Sequence, residues 1–337
     1  MKIVVDGMGG DHAPKVVVEG VKLALAQYPC ISRLILTGDE TRLKQEIQAA
    51  GLRDRRLEIA HAPAVVEMHE SATVAVRQKK DSSITIGADL VKKGEAEALV
   101  SAGHTGAAVA ATSVKWRMLN GVDRPGIASP LPAEHGTAHI LDAGANVVAK
   151  PLHLVQYAVM GTVYAREIGG VPHPKVGLMS VGEEDEKGTD FTREVFAMLR
   201  QTPGIEFVGN IEGHDLFEGG IDIVLCDGFT GNIVLKSCEA TAKIMFKWLK
   251  HEIKASPLRL LGALMSKAAF KAVKARGSYE SYGGSPLLGV RGICIIGHGS
   301  SSAIAVKNAV RVATEAIGRQ VNPHIEEALA LAGTLAP

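Results

Sequence analysis

Asp222-Ile-Val-Leu-Cys-Asp-Gly-Phe-Thr-Gly-Asn-Ile-Val-Leu-Lys236 decides how the rest of the chain is read. Ile221 to Cys226 is a short apolar, β-branched run suited to a buried parallel strand, and Asn232 opens a long helix-forming segment after a Gly-x-Thr-Gly turn. A strand-to-helix junction of this kind presents unpaired backbone N–H groups, and glycine lets a ligand come close to them. Together with the helix dipole they favour an anion. Gly228, Thr230, Gly231 and Asn232 therefore form a candidate oxyanion cradle. The alternative is a helix start that needed its glycines only to turn.

Leu99-Val-Ser-Ala-Gly-His-Thr-Gly-Ala107 repeats the plan, because Gly103-His104-Thr105-Gly106 again follows an apolar run and opens an Ala-rich helix. Polar glycine turns also follow apparent strands at Asp6-Gly-Met-Gly-Gly-Asp-His12, Asp142-Ala-Gly-Ala-Asn146 and Gly297-His-Gly-Ser-Ser-Ser302. Ligands of open α/β sheets collect at the carboxyl ends of the strands. Five such loops on one edge predict a phosphate-sized site drawing on Asp6, Gly9, Gly10, Asp11, His12, Gly103, Thr105, Gly106, Asn146, His298 and Ser300.

The 337 residues are 46% hydrophobic, enough for a sizeable core, while aromatics are only 4% and glycine reaches 37 residues. That balance suits helices packed close against a sheet, an α/β class, read as one large domain. The net charge of +1 names no partner. Cys30, Cys226, Cys238 and Cys294 lack CxxC spacing, and Cys226 and Cys294 sit in apolar runs that suit buried thiols; a reducing compartment is expected. Lys2 to Asp6 followed by a glycine turn is a strand and not a secretory signal. No apolar run reaches the roughly 20 residues of a membrane span.

In chain order, strands are expected at Lys2–Asp6, Ile31–Leu36, Leu57–Ala60, Ala98–Val100, Ala138–Asp142, Val176–Val181, Ile205–Val208, Ile221–Cys226 and Ile293–Ile296, with helices between them. Tyr282–Gly289 reads as a turn-rich return, and Ser300–Gly318 as the closing helix. The loop Gly182-Glu-Glu-Asp-Glu-Lys-Gly-Thr-Asp190 reads first as a solvated charge run, yet Lys187 beside Gly188 is the best single candidate for a cation that grips phosphate.

Between Lys236 and Arg276 ten basic residues stand against Glu239 and Glu252, a net +8 that leaves −7 for the remainder. Pro257 divides this stretch into helices. Leu258, Leu261 and Leu264 mark an apolar face, and Lys267, Lys271 and Lys274 a cationic one. Subunit packing and contact with an anionic membrane or acidic partner are both open readings of this amphipathic excursion at about 236–276.

Taken together, Asp6-Gly-Met-Gly-Gly-Asp-His-Ala-Pro14, Leu141-Asp-Ala-Gly-Ala-Asn146, His153-Leu-Val-Gln-Tyr-Ala158, Asp227-Gly-Phe-Thr-Gly-Asn232, Tyr282-Gly-Gly284 and Gly297-His-Gly-Ser-Ser301 resemble the bacterial phosphate acyltransferases across nearly the whole chain. His104 departs from that family's usual Asn. The resemblance implies a three-layer α/β/α fold with a mainly parallel sheet, related to phosphotransacetylases and to isocitrate and isopropylmalate dehydrogenases. It implies a reaction in which acyl-(acyl carrier protein) and inorganic phosphate give acyl phosphate for phospholipid synthesis; no cofactor is expected, and no residue is assigned to a metal. It further implies a homodimeric, cytoplasmic enzyme held peripherally at the inner membrane face, near a membrane-bound glycerol-phosphate acyltransferase.

Such a reaction needs phosphate held against a thioester carbonyl, the tetrahedral oxyanion stabilised and the thiolate neutralised. Gly228–Asn232 and Lys187 are the expected phosphate ligands, Asn146 or Thr105 the substrate hydrogen bond, His298 the proton carrier, and Asp227 or Asp6 the groups that orient them. No Ser/His/Asp order suggests an acyl-enzyme. His12, His104, His135, His139 and His298 show no metal-ligand spacing. The competing readings are a short-chain phosphotransacetylase using coenzyme A and a non-catalytic carrier- or membrane-binding scaffold. A nicotinamide dehydrogenase lacks its Gly-x-Gly-x-x-Gly signature, and nucleic-acid binding lacks interleaved aromatics.

Overall fold

The computed structural model describes residues 1–277 and 279–333, except the side chains of Lys274 and Tyr279. The chain first lays down β1 (Lys2–Asp6), β2 (Arg33–Gly38), β3 (Leu57–His61), β4 (Ala98–Ser101) and β5 (Gly126–Ile127). It then forms β6 (Ser129–Pro132), β7 (Thr137–Leu141), β8 (Lys175–Met179), β9 (Glu206–Ile211) and β10 (Ile223–Leu225), and returns as β11 (Ser285–Leu288) and β12 (Ile293–Ile296). The strands make two sheets, ordered β3-β2-β1-β4-β12-β11-β5 and β6-β7-β10-β8-β9. Pairing is parallel except at β11 and β6.

Alternation along each strand assigns its side chains to different cores, because successive residues point to opposite faces. Ile3 and Val5 enter a core under the helices Lys15–Gln27 and Ala303–Gly318, while Val4 enters a central core shared with the second sheet. Val224 of β10 joins that central core, and its neighbours Ile223 and Leu225 pack under the helix Pro151–Glu167. The result is an α/β fold with helices on both faces of mainly parallel sheets.

Several sequence expectations need correction. The glycine loops lie at the carboxyl ends of two sheets, not along one edge: those after β1, β4 and β12 face those after β7 and β10. The expected return at Tyr282–Gly289 contains β11, and β5 and β6 were not anticipated. Pro286, Pro130 and Pro132 argue against strand from sequence, and the sheet accepts them in antiparallel strands near its margin. A last helix, Val321–Leu331, follows the expected closing one. The helix expected from Asn232 starts at Gly228, so the presumed glycine loop is its first turn.

That early start has a steric cause. The chain passes from β5 to β6 through Ala128, and Asp142, just after β7, clasps the crossing: its Oδ1 accepts from Ile127 N at 3.0 Å while Ala143 N donates to Ile127 O at 2.9 Å. The first turn of helix Gly228–Lys254 lies directly on this clasp. A Cβ at Gly228 would meet Asn146 O at 2.6 Å and one at Gly231 would meet Asp142 O at 2.0 Å. Gly231→Ala should accordingly lower stability by about 3 kcal/mol, the upper end for overpacking. Gly262→Ala, with no neighbour within 4 Å, should not lower it; urea midpoints of the two variants decide the matter.

Candidate active site

Asp142 is fully buried, and its carboxylate accepts from the amides of Ile127, Gly144 and Ala145 through Oδ1 and of Asn146 through Oδ2. Burial pushes this carboxyl above its ordinary range, and the four amides partly offset the shift. Asn146, an expected substrate contact, is spent on the scaffold: its Nδ2 donates to Pro125 O and, at 2.8 Å, to Tyr157 OH.

Asp227 is likewise a helix cap. Its Oδ1 accepts from Phe229 N at 3.0 Å and Thr230 N at 2.9 Å, and its Oδ2 from the Thr230 hydroxyl at 2.8 Å. Gly228 N donates to Asn146 O and Gly231 N to Asp227 O, both at 2.9 Å. The amides of the expected cradle are thus occupied within the chain. What this turn offers the cleft is the helix face beyond it, where Asn232, Lys236 and Glu239 stand at i, i+4 and i+7.

Those three side chains form one wall of a cleft of about 510 Å³ between the two sheets. The opposite wall comes from the first sheet: Asp11 after β1, the helix start at Thr105 and Gly106 after β4, and His298 after β12. All five glycine loops therefore reach this cleft, with Gly144 and Asn232 representing the two from the second sheet. His298 Nε2 lies 3.7 Å from Glu239 Oε2 across it, and Nδ1 lies 2.8 Å from the Ser300 hydroxyl. Ile127, Leu235 and Ile296 add apolar lining. His104 caps the helix Thr105–Trp116 by accepting from Ala107 N at 3.3 Å, which leaves the Thr105 and Gly106 amides at the mouth of the helix dipole.

A side cavity of about 250 Å³ shares Asp11, Met68, Gly103 and His104 with the cleft and is lined also by Asp6, Gly9 and Gly10. Asp6 sits at its base, accepting from Met8 N at 3.2 Å and from the Ser101 hydroxyl at 2.8 Å. His12 is exposed and faces a small separate cavity on the other side of its loop. Lys187 is exposed on the loop after β8 and does not line the cleft, where the cation is Lys236. Sequence reasoning had counted Lys236 only with the basic stretch; its spacing of four from Asn232 was the available signal. Glu239 was missed for the same reason.

The arrangement joins a cation, open helix-terminal amides and an imidazole facing a carboxylate, a set that can hold a multiply charged anion and move a proton beside it. Cys226 is no competitor as nucleophile, since burial pushes its thiol well above the usual range and the Asp142 and Asp227 carboxylates add to the shift. Among the described residues the group with metal-like spacing, Glu183, His214 and Asp215, lies on the loop after β8 and at the start of the short helix Asp215–Glu218 that follows β9, and not in the cleft.

Residues 1–324 match the protein family described as fatty acid synthesis protein. A phosphate acyltransferase of Akkermansia muciniphila is 54% identical over 340 residues, covering 99% of this chain and 97% of its own length. A phosphate acyltransferase of Pelotomaculum thermopropionicum is 51% identical over 332 residues, covering 98% and 95% respectively. Among solved structures, a phosphotransacetylase from Streptococcus pyogenes shares the fold with a TM-score of 0.61 at 16% identity, over 94% of this chain and 93% of that one.

Burial raises the Asp6 carboxyl above its ordinary value, with the Ser83, Ser101 and backbone hydrogen bonds opposing the shift. The folded chain then keeps a proton that the unfolded chain releases near pH 3.9, so this contribution is complete below about 3.9 and is lost as pH rises through the folded value. Asp6→Asn should flatten that fall. A urea midpoint that declines equally with pH in both proteins would contradict it.

Proposed function

The chain belongs to the phosphate acyltransferase family, and we propose that it transfers a long acyl chain from acyl carrier protein to inorganic phosphate, giving acyl phosphate for phospholipid synthesis. The observation that supports this most directly is the meeting of Asn232, Lys236 and Glu239 with His298 and the Thr105–Gly106 helix start in one cleft. Lys236 and the two amides hold phosphate, and Asn232 hydrogen-bonds it from the same helix face. A phosphate oxygen then bonds to the thioester carbonyl carbon, the C–S bond breaks, and the proton carried by phosphate passes through His298 to the departing thiolate. Glu239 offsets the charge on the imidazole ring while it carries that proton. The thioester carbonyl oxygen gains negative charge in the transition state, and preorganised donors act most strongly there. Asp227 and Asn146 serve the reaction by fixing the helix and loop on which these donors ride.

The basic helices give this reading its partners. The helices Pro257–Met265 and Lys267–Arg276 leave Leu258, Leu261 and Leu264 more than half exposed, at 78%, 57% and 62%, beside exposed Lys267 and Lys271. Lys274 belongs to the same expected face, and its side chain lies outside the described residues. We assign this surface to an anionic membrane and to the acidic carrier, through salt-sensitive attraction. No described helix is long and apolar enough to cross a membrane; the proposed attachment is peripheral, on the cytoplasmic side, near an acyltransferase that consumes acyl phosphate. Met245, Trp248 and Leu249 form an exposed apolar face on the long helix that a second copy of the chain would cover in a homodimer.

Phosphate-dependent thiol release should occur with palmitoyl-(acyl carrier protein), with acyl phosphate detected directly. Activity only with a coenzyme A thioester would assign a phosphotransacetylase instead, and carrier binding without product a scaffold. His298→Ala should reduce kcat/KM by about 10²-fold or more, and Lys236→Ala should raise the KM for phosphate. Lys267→Glu with Lys271→Glu should reduce flotation with anionic vesicles and spare neutral ones; equal flotation of variant and parent would remove the membrane assignment.

A further inference from the structure

The segment between β3 and the helix Ala72–Gln78 walls the side cavity with Val65, Val66, Glu67 and Met68, and Met68 also reaches the cleft. Most of its ties run to the elements that follow it. Ser83 N donates to Ala64 O at 3.0 Å, and Lys79 Nζ binds Val65 O at 2.8 Å and Glu70 Oε2 at 2.6 Å. The tie to the cleft is made by His104, whose Nε2 stands 3.1 Å from Glu70 O.

Both nitrogens of that ring have fixed roles. Ala107 N can only donate, so Nδ1 must be the unprotonated acceptor, and the neutral ring carries its proton on Nε2. Nε2–H therefore donates to the Glu70 carbonyl. One side chain thus caps the helix whose Thr105 and Gly106 line the cleft and latches the neighbouring wall to it. The ring lies flush against Gly106, where a Cβ would meet His104 Cε1 at 3.2 Å.

The cavity behind the latch has a definite chemical preference. Asp6, Asp11 and Glu67 line it together with Met8, Val66 and Ile84. The exposed carboxylates of Asp11 and Glu67 disfavour a phosphate there, and polar groups penalise a bare hydrocarbon chain. A neutral, amide-bearing flexible arm fits, with N–H groups for the carboxylates and methylenes for the apolar wall. We propose that His104 is a positioning residue that holds this wall against the arm of the acyl donor, the pantetheine-type linker that carries the thioester. This rests on the acyl-transfer reading above.

His104→Asn separates the two roles, because asparagine caps a helix well but is too short to reach the Glu70 carbonyl. The variant should lose no more than about 1 kcal/mol of stability, the worth of that one bond, and keep the parent's phosphate KM. Its KM for the acyl donor should rise about fivefold, as expected for one lost hydrogen bond, and backbone amides of 67–71 should exchange hydrogen faster while helix 105–116 stays protected. His104→Ala should show these changes and lose more stability. Parent-like exchange at 67–71 in His104→Asn would overturn the latch, and faster exchange with an unchanged donor KM would overturn the assignment of the arm. Should the parent turn over no acyl thioester, the acyl-transfer reading and the arm assignment fall together, while the exchange measurement still decides the latch.

Discussion

Everything at this site depends on the buried carboxylate of Asp142. A carboxylate removed from water is costly unless donors surround it, and four backbone amides converge on this one. Those amides come from the end of β5 and from the turn after β7, so the same contacts that stabilise the charge also join the two sheets. Gly228 and Gly231 let the long helix begin in contact with the clasp. The direction of that helix, and with it the placement of Asn232, Lys236 and Glu239, follows from the clasp.

The cleft gains its chemistry by dividing labour between the sheets. The first sheet supplies an open helix terminus and His298, and the second supplies a cation and Glu239 on a rigid helix face. Groups on packed secondary structure lose little freedom when a ligand arrives, which favours positioning of two substrates over covalent relay. Three polar side chains of these loops are tied to backbone instead. Asp227 caps a helix, Asn146 braces a turn, and Asp6 holds the loop after β1.

Much of this was legible in the sequence. β1, β4, β10 and β12 were visible as short apolar β-branched runs, and each loop that reaches the cleft was visible as a polar glycine turn after such a run. The signal is local, since burial on both faces of a parallel strand leaves a continuous apolar run. Strands containing Pro130, Pro132 and Pro286 were invisible for an equally local reason: proline removes a ladder donor, and only the arrangement of neighbours shows that the donor is not needed.

The sequence by itself determined the α/β class, the five loops and the amphipathic basic helices, because these rest on periodicities and turn residues within a few positions of one another. It also brought Thr105, Gly106, Asn232 and His298 to attention. Only the tertiary structure decided which groups remain open to a ligand. The glycines of Gly228–Asn232 carry the same sequence signal whether their amides face a phosphate or, as here, the backbone carbonyls of Asn146 and Asp227. Lys187 and Lys236 are equally plausible cations in one dimension, and the packing of helix Gly228–Lys254 on Asp142 puts the second in the cleft. Hydrogen-bond satisfaction and the approach of distant backbones are properties of long-range contacts, and no spacing along the chain encodes them directly.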